Sequence, residues 1–273
     1  MPSDTVYSAT ISATIKTGSC HETDKLSGIT HFVEHISLTA TKSWPTRYKL
    51  TETREFNGAK YNGSTGKESL DYWINIPYNK IDFGLQYIYE VLYEGALNPD
   101  YIEQERGIVL DEISKRQDNP GYQNMRFITE SLNKKRSGYL RDVAGTEKTV
   151  SNYSIEDIKT QYKKLHSPNK IMISVVGNFD TKEVKKLIED LFGRQKETDK
   201  QQEYPQEGVK ENIIKTRHSP KTDLIFTSIE FPAQSANDTN EVEKKHIDLL
   251  LSILCGPMSS RLVKRLREEE NLL

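Results

Sequence analysis

Two histidines and a glutamate lie close together near the start of the chain, in the stretch His31-Phe32-Val33-Glu34-His35. Residues four apart lie one above the other on a helix, so His31 and His35 can point their rings toward one site. Two neutral imidazoles at this spacing suit a zinc ion. Glu34 flanks the same face, where a carboxylate can accept a proton from a water at the metal. The stretch therefore predicts a helix with a metal site, and two solvated histidines on a surface helix are the simpler alternative.

The composition is that of a globular chain with room for one large domain and part of another. Its 273 residues are 35% hydrophobic and 29% charged, and the net charge is −2. This charge favours neither nucleic acid nor an acidic membrane as a partner. No apolar run approaches the roughly 20 residues that cross a bilayer, and we expect no secretory signal because Met1-Pro2-Ser3-Asp4 lacks a basic or apolar region. With only Cys20 and Cys255, far apart, we expect a cytoplasmic protein without a cysteine-rich metal site.

The remaining pattern predicts a chain that contains both strands and helices. Alternating or continuous apolar residues predict strands, two of which join in a hairpin at Gly66-Lys67. Helical spacing and capping residues predict the helices. The predicted strands are 6–17, 60–65, 69–77, 169–177 and 223–231. The predicted helices are 27–39 with Ser27 as N-cap, 46–56, 81–96, 99–118, 121–135, 154–165, 181–192, 238–254 and 259–270, with a loop at 138–149.

Composition divides the chain into three parts. Residues 1–193 contain the metal motif and form the predicted zinc-binding domain. Residues 194–215 begin with a charged, glutamine-rich segment that is typical of a linker. Residues 216–273 hold a predicted strand and two helices, which cannot bury a core of their own. We therefore expect this last part to be the incomplete start of a second domain.

Polar residues on a predicted strand and acids on a later helix are further candidates. Asn62-Gly63-Ser64 is small and polar for a strand interior. An exposed edge explains it as well as an edge strand that accepts an extended peptide by main-chain pairing, and the sequence does not decide between them. Glu105 and Glu112 are seven residues apart and therefore share a helix face. For either acid alone, a solvated salt bridge is the usual role.

The chain resembles the pitrilysin (insulinase-like) family of zinc metallopeptidases, family M16, in several segments that occur in the same order along the sequence. Within the family, the resemblance is greatest to the branch that includes the mitochondrial processing peptidase. The resemblance covers nearly the whole chain and includes the H-x-x-E-H stretch. Its other matching segments are 16–19 with Glu22, Gly58-Ala59 with Asn62, 105–113 with 118–120, Gly145-Thr146, 167–178, 256–262 and 266–269.

The resemblance implies an α+β fold, with a mostly antiparallel sheet flanked by helices and the beginning of a second homologous domain. It also implies a zinc-dependent endopeptidase that hydrolyses peptide bonds in short or extended polypeptides. One zinc ion per chain would be held by His31, His35 and Glu112, with water in the fourth position. The implied catalytic residues are Glu34, as the general base, and Glu105, as an acid that orients a ligand or fixes its charge. The implied substrate-binding residues are Asn62, Gly63 and Ser64.

The second half of family members normally supplies an arginine and a tyrosine that steady the substrate, and the chain stops before them. We therefore expect zinc binding with little cleavage, unless a second M16 half or a homologous subunit completes the chamber. The alternative is a non-catalytic structural or peptide-holding subunit, and a weaker one is a metal-storing or regulatory domain. Non-catalytic relatives generally lose at least one of four positions, and this chain retains them all. The four are His31, Glu34, His35 and Glu112.

Overall fold

The computed structural model describes residues 5–132, 137–200, 214–218, 225, 226, 228, 230 and 239–272. The chain divides into two units, Met1–Phe226 and Thr227–Leu273, and each is described by itself. The three-part division at residues 193 and 215 stays a prediction from composition.

The first unit contains a four-stranded antiparallel sheet with the strand order β2-β3-β1-β4. The strands are β1 Ser8–Ile15, β2 Lys60–Thr65, β3 Leu70–Pro77 and β4 Ile171–Gly177. Every second residue of β1 and β3 is buried, because successive side chains of a strand point to opposite faces. Ile11 lies opposite Ile74 on one side and Val175 on the other. Strand β2 is therefore an edge of the sheet, with mostly exposed residues.

Helices flank this sheet, so the predicted α+β class is confirmed. The helices of the first unit are α1 Ile29–Ser37, α2 Arg47–Phe56, α3 Ile81–Tyr93, α4 Pro99–Asp118, α5 Pro120–Leu132, α6 Ser137–Leu140, α7 Glu147–Ser151, α8 Ile155–Leu165 and α9 Thr181–Phe192.

Helix α1 lies in the interior, and eight of its nine residues are buried. Its apolar side chains Ile29, Phe32 and Ile36 belong to one cluster with residues of α4 and α8. The members from α4 include Val109 and Ile113. Full burial of an apolar side chain of this size contributes roughly 1.5–3 kcal/mol to folding. Packing on two sides therefore fixes α1, and with it the predicted metal ligands, relative to α4.

A second apolar cluster joins the sheet to the helices α3 and α9. Its sheet members include Ile11, Leu70 and Ile74, and its helix members include Leu85 and Ile88. This cluster packs against β1 and β3 on one face of the sheet. The edge strand β2 therefore pairs with a strand, β3, that the core holds in place.

The start of α1 differs from the sequence prediction. The N-cap is Gly28, whose φ of +92° lies in the left-handed region that favours glycine, and the predicted cap Ser27 precedes the helix. The first backbone N–H groups bind a side chain from outside the helix. Gly28 N donates to Glu22 Oε2 at 2.6 Å and Thr30 N donates to Glu22 Oε1 at 2.8 Å. A buried carboxylate thus replaces the local cap that serine would supply.

Two other predicted boundaries are also corrected. The predicted helix 81–96 ends at Tyr93, because Gly95 leaves the helix to bridge to Thr41 and to donate its N–H to the Tyr162 hydroxyl at 2.8 Å. The predicted loop 138–149 overlaps the short helices α6 and α7, and Thr146 caps the latter through Thr149. Both differences come from tertiary contacts or local caps that apolar periodicity does not show.

The first residues of the predicted linker lie against the first unit. The buried ammonium of Lys170 lies 2.5 Å from Asp199 Oδ2, and Thr198 N donates to the Ser167 hydroxyl oxygen at 2.9 Å. These contacts fasten the segment at 198–199 to the residues just before β4.

The second unit contains α10 Glu241–Cys255, α11 Arg261–Val263 and the π-helical turn Lys264–Glu269. They lie where the helices 238–254 and 259–270 were predicted, and Asn240 caps α10. The predicted strand 223–231 lies largely outside the described residues. Within the described part of the chain, no helix combines the length and the apolar character that crossing a membrane requires.

Candidate metal centre

Side chains from α1 and α4 converge on one point. One potential ligand atom from each of His31, His35 and Glu112 lies within 4.8 Å of the other two. Glu112 Oε2 is 3.6 Å from His31 Nε2 and 3.7 Å from His35 Nε2. Two imidazole nitrogens and one carboxylate oxygen are a ligand set that zinc accepts at catalytic sites. No other set of three such side chains is close enough for an ion in the region that the structure describes.

His35 is held in the orientation that a metal ligand needs. Its Nδ1 donates to Glu105 Oε2 at 3.0 Å, which leaves the Nε2 lone pair on the side of Glu112. Glu105 is itself fixed, since its Oε1 accepts hydrogen bonds from Arg47 Nη2 at 2.6 Å and from Thr39 Oγ1 at 3.3 Å. The chain of contacts therefore runs from a guanidinium through a carboxylate to the imidazole.

The charge states of these groups fit cation binding. Burial, together with the nearby His35, lowers the pKa of His31 to about 4, so this imidazole is neutral near pH 7. Burial alone would lower the pKa of His35, but the hydrogen bond and charge of Glu105 raise it overall. Burial by itself would raise the pKa of Glu105, but the hydrogen bonds and charges of His35 and Arg47 lower this pKa overall. The site therefore has one neutral imidazole, His31, and a second, His35, whose protonated form Glu105 favours. Metal binding at His35 requires the unprotonated Nε2.

Glu34 lies on α1 next to the two histidines and faces the edge strand. Its side chain is buried, which raises the pKa of the carboxyl group, and its Oε2 accepts a hydrogen bond from the Thr65 hydroxyl of β2. A methyl group added at Gly63 would lie 2.8 Å from Glu34 Cγ and 2.9 Å from Glu34 Oε1. The absence of a side chain at Gly63 therefore lets the backbone of β2 approach Glu34.

The other two residues predicted to bind substrate are exposed on the same strand. Asn62 and Ser64 lie on β2, and Asn62 Oδ1 accepts a hydrogen bond from Gly63 N at 3.0 Å. Of the three predicted residues, Gly63 is the one that the structure brings against the site.

Sequence reasoning missed three residues at this centre. Thr65 binds Glu34, Arg47 binds Glu105, and Arg116 Nη2 donates to Glu112 Oε1. Only Arg116 had a signal in the sequence, because an arginine four residues after a glutamate pairs with it on a helix. An open depression of about 470 Å³ lies beside this pair, and it is lined by Glu112, Lys115, Arg116, Asn119 and Tyr122.

The H-x-x-E-H motif on helix α1 is the sequence signature of the inverzincins. Residues 1–138 match the insulinase family, peptidase family M16, and residues 152–273 match the peptidase M16 inactive domain. The chain therefore belongs to peptidase family M16. The predicted family is confirmed, and the predicted branch within it stays a prediction.

Curated relatives include two bacterial proteins named as zinc proteases. The uncharacterized zinc protease YmxG of Bacillus subtilis is 26% identical over 273 residues, which cover 98% of this chain and 64% of the relative. An uncharacterized zinc protease of Rickettsia felis is 26% identical over 267 residues, covering 98% and 63%. The chain thus spans a little under two thirds of the length of these relatives.

Solved structures share the fold. A protease from Helicobacter pylori superposes with a TM-score of 0.79 at 21% identity, over 99% of this chain and 65% of that chain. Pitrilysin superposes with a TM-score of 0.67 at 20% identity, over 77% of this chain and 23% of that chain. At these levels of identity, the two superpositions establish a shared fold.

Proposed function

We propose that this chain is the metal-binding part of a zinc-dependent metalloendopeptidase that hydrolyses peptide bonds in short or extended polypeptides. The observation that carries the proposal is the convergence of His31, His35 and Glu112 on one point, with Glu34 on the same helix as the histidines. The relatives named as zinc proteases support it. Because the chain spans less than two thirds of those relatives, the activity is proposed for the protein that contains it.

His31, His35 and Glu112 would hold one zinc ion per chain. A zinc ion bound by three protein groups would lower the pKa of its water to about 7 and would polarise a carbonyl oxygen. The protein's own contribution begins with Glu105, which fixes the ring of His35 through Nδ1. Glu105 would therefore act by orienting a metal ligand.

Glu34 would act as the general base. Its carboxylate accepts a proton from the attacking water and then delivers a proton to the departing amine nitrogen. Burial favours this role, because it raises the pKa of Glu34 and makes the carboxylate a better proton acceptor. The Thr65 hydroxyl holds Oε2 and so restricts the side chain to one orientation.

An extended peptide would bind along β2, the edge strand whose residues Asn62, Gly63 and Ser64 precede Thr65. Strand β2 pairs with β3 on one side, and no other strand among the described residues pairs with its second side. The backbone groups of that second side could therefore pair with an extended peptide. The close approach of Gly63 to Glu34 would place a peptide bound there beside the general base.

We further propose that turnover needs a complementary M16 half, supplied by further sequence or by a homologous subunit. The relatives extend beyond the region that this chain matches, and the chain's residues 152–273 already match the second family domain. The chain alone would bind zinc and cleave peptides poorly.

The test compares the wild-type sequence with Glu34→Gln, and each protein is assayed for zinc content and for cleavage of a quenched fluorescent peptide. Both measurements use this chain and a form extended by a second half. We expect Glu34→Gln to keep one zinc per chain and to lose about 10²–10⁴-fold in turnover, the range for a general base. Unchanged turnover in metal-verified Glu34→Gln would show that Glu34 is not the base. Full zinc content without cleavage in either form would favour the non-catalytic, peptide-holding subunit.

A further inference from the structure

Arg116 lies one helical turn after Glu112 on α4 and is not used by the proposed chemistry. Its Nη2 donates a hydrogen bond to Glu112 Oε1. The other carboxylate oxygen, Oε2, faces His31 Nε2 at 3.6 Å and His35 Nε2 at 3.7 Å. The two oxygens of Glu112 thus have different neighbours: a guanidinium on one side and the two imidazoles on the other.

Each of the three converging side chains has a different restraint. The His31 side chain is 8% exposed and is held by the packing around α1, and His35 is held through Nδ1 by Glu105. The Glu112 side chain is 31% exposed, so packing restrains it least. Its contact with Arg116 supplies the missing restraint, because a guanidinium is planar and donates in fixed directions.

We propose that Arg116 is a positioning residue that presents Glu112 to zinc through a single oxygen, Oε2. This inference rests on the proposed zinc function. With Oε1 occupied, the carboxylate loses its freedom to turn toward solvent before the ion arrives, and less side-chain entropy is lost on binding. The arrangement also disfavours a two-oxygen contact, which leaves room for the open position of a catalytic site.

Two effects of Arg116 on zinc affinity have opposite signs, so an experiment can separate them. The positive charge of the guanidinium repels a divalent cation, and removing it would tighten binding. The orienting contact prepares Glu112, and removing it would weaken binding. Arg116 is one-third exposed, so solvent screens the repulsion, whereas the hydrogen bond is direct. Orientation therefore prevails, and loss of Arg116 weakens zinc binding.

The chain offers a matched control on the neighbouring helix. Arg126 pairs with Glu130 on α5 at the same four-residue spacing, with 2.8 Å between Nε and Oε1, and both side chains are about half exposed. The order of acid and base along the helix is reversed between the two pairs, and such pairs are weak in either order. An effect that came only from a helix-stabilising ion pair would therefore be small and comparable for Arg116→Gln and Arg126→Gln.

The experiment measures the zinc dissociation constant of the metal-free chain by competition with a chromophoric chelator. We expect Arg116→Gln to raise the constant 10–100-fold, the usual range for residues that orient metal ligands. Arg116→Lys should give an intermediate rise, because it keeps the charge without the planar fork, and Arg126→Gln should bind as the wild type does. Unchanged or tighter binding by Arg116→Gln overturns the inference.

Two further measurements keep the test decisive. Circular dichroism of the metal-free proteins shows whether Arg116→Gln is folded, and if it is not, Arg116→Lys decides alone: weaker binding than wild type supports the inference and equal binding overturns it. His35→Ala tests the proposed function separately. If His35→Ala binds zinc as the wild type does, the zinc site itself is wrong. If His35→Ala loses zinc binding and Arg116→Gln does not, the result supports the zinc site and refutes the positioning role of Arg116.

Discussion

The imidazole of His166 lies in the interior of the first unit, with 3% of its surface exposed, between Tyr72 and Tyr162. Its Nε2 is 3.3 Å from the Tyr72 hydroxyl oxygen, and its Nδ1 has no hydrogen-bond partner among the residues that the structure describes. Burial lowers the pKa of His166 to about 3. In the unfolded chain the pKa of a histidine is about 6.5. The folded protein therefore keeps this ring neutral at pH values where the unfolded chain is protonated.

The sign of the effect on stability follows from this difference in pKa. Between pH 6.5 and 3 the unfolded chain binds more protons at His166 than the folded chain does, so the free energy of unfolding falls as the pH falls. The slope is at most about 1.4 kcal/mol per pH unit. Between pH 7.5 and pH 5 the loss from this one group amounts to about 2 kcal/mol. Above about pH 7.5 the group contributes almost no pH dependence.

The measurement is urea unfolding of wild type and His166→Phe at pH 7.5 and at pH 5. The fluorescence of Trp44 and Trp73, both in the first unit, reports unfolding, and EDTA removes any contribution from bound metal. Phenylalanine keeps a ring but does not titrate, so the difference in pH dependence isolates His166 even if the variant is less stable overall. We expect the wild type to lose about 2 kcal/mol more than His166→Phe on going to pH 5. Equal losses would refute a neutral, buried His166.

Two further predictions concern the stability of the first unit. Glu22→Ala removes the acceptor for the N–H groups of Gly28 and Thr30, and we expect it to lower the free energy of unfolding by about 2 kcal/mol. This is measured by urea unfolding at pH 8, above the pKa of about 7 to which burial raises Glu22, and a loss below about 0.5 kcal/mol would contradict it. Asp199→Ala leaves the Lys170 ammonium buried without its partner and should cost about 3 kcal/mol, whereas adding Lys170→Met should recover most of that stability. The check is a comparison of the single and double variants by thermal unfolding, and no recovery in the double variant would argue against the ion pair.

The metal helix shows which parts of the site are local properties of the sequence. The four-residue spacing of His31 and His35 places both rings on one face as soon as the segment is helical, so it could be predicted directly. The approach of Glu112 depends on how α4 packs against α1, through residues such as Val109 and Ile113. That packing could not be derived from spacing, and only the family resemblance connected Glu112 with the histidines.

Other parts of the centre depend on contacts between elements that no local pattern records. Thr65 reaches Glu34 only because β2 lies beside α1, and Arg47 reaches Glu105 across two helices. Gly28 replaces Ser27 as the cap because the Glu22 carboxylate arrives from outside the helix. These three features depend on tertiary contacts. By contrast, the strands β1 and β3, in which every second residue is buried, could be predicted from the sequence pattern.

The convergence of residues from α1 and α4 on one zinc ion is tested most directly by titrating the metal-free chain with zinc. The wild type is compared with Glu112→Ala and with Asp111→Ala, since Asp111 is the adjacent acid on α4 and is exposed to solvent. We predict one zinc per chain for the wild type and for Asp111→Ala, and binding more than about 100-fold weaker for Glu112→Ala. Wild-type affinity in Glu112→Ala, or an equal loss in both variants, would contradict the metal centre described above.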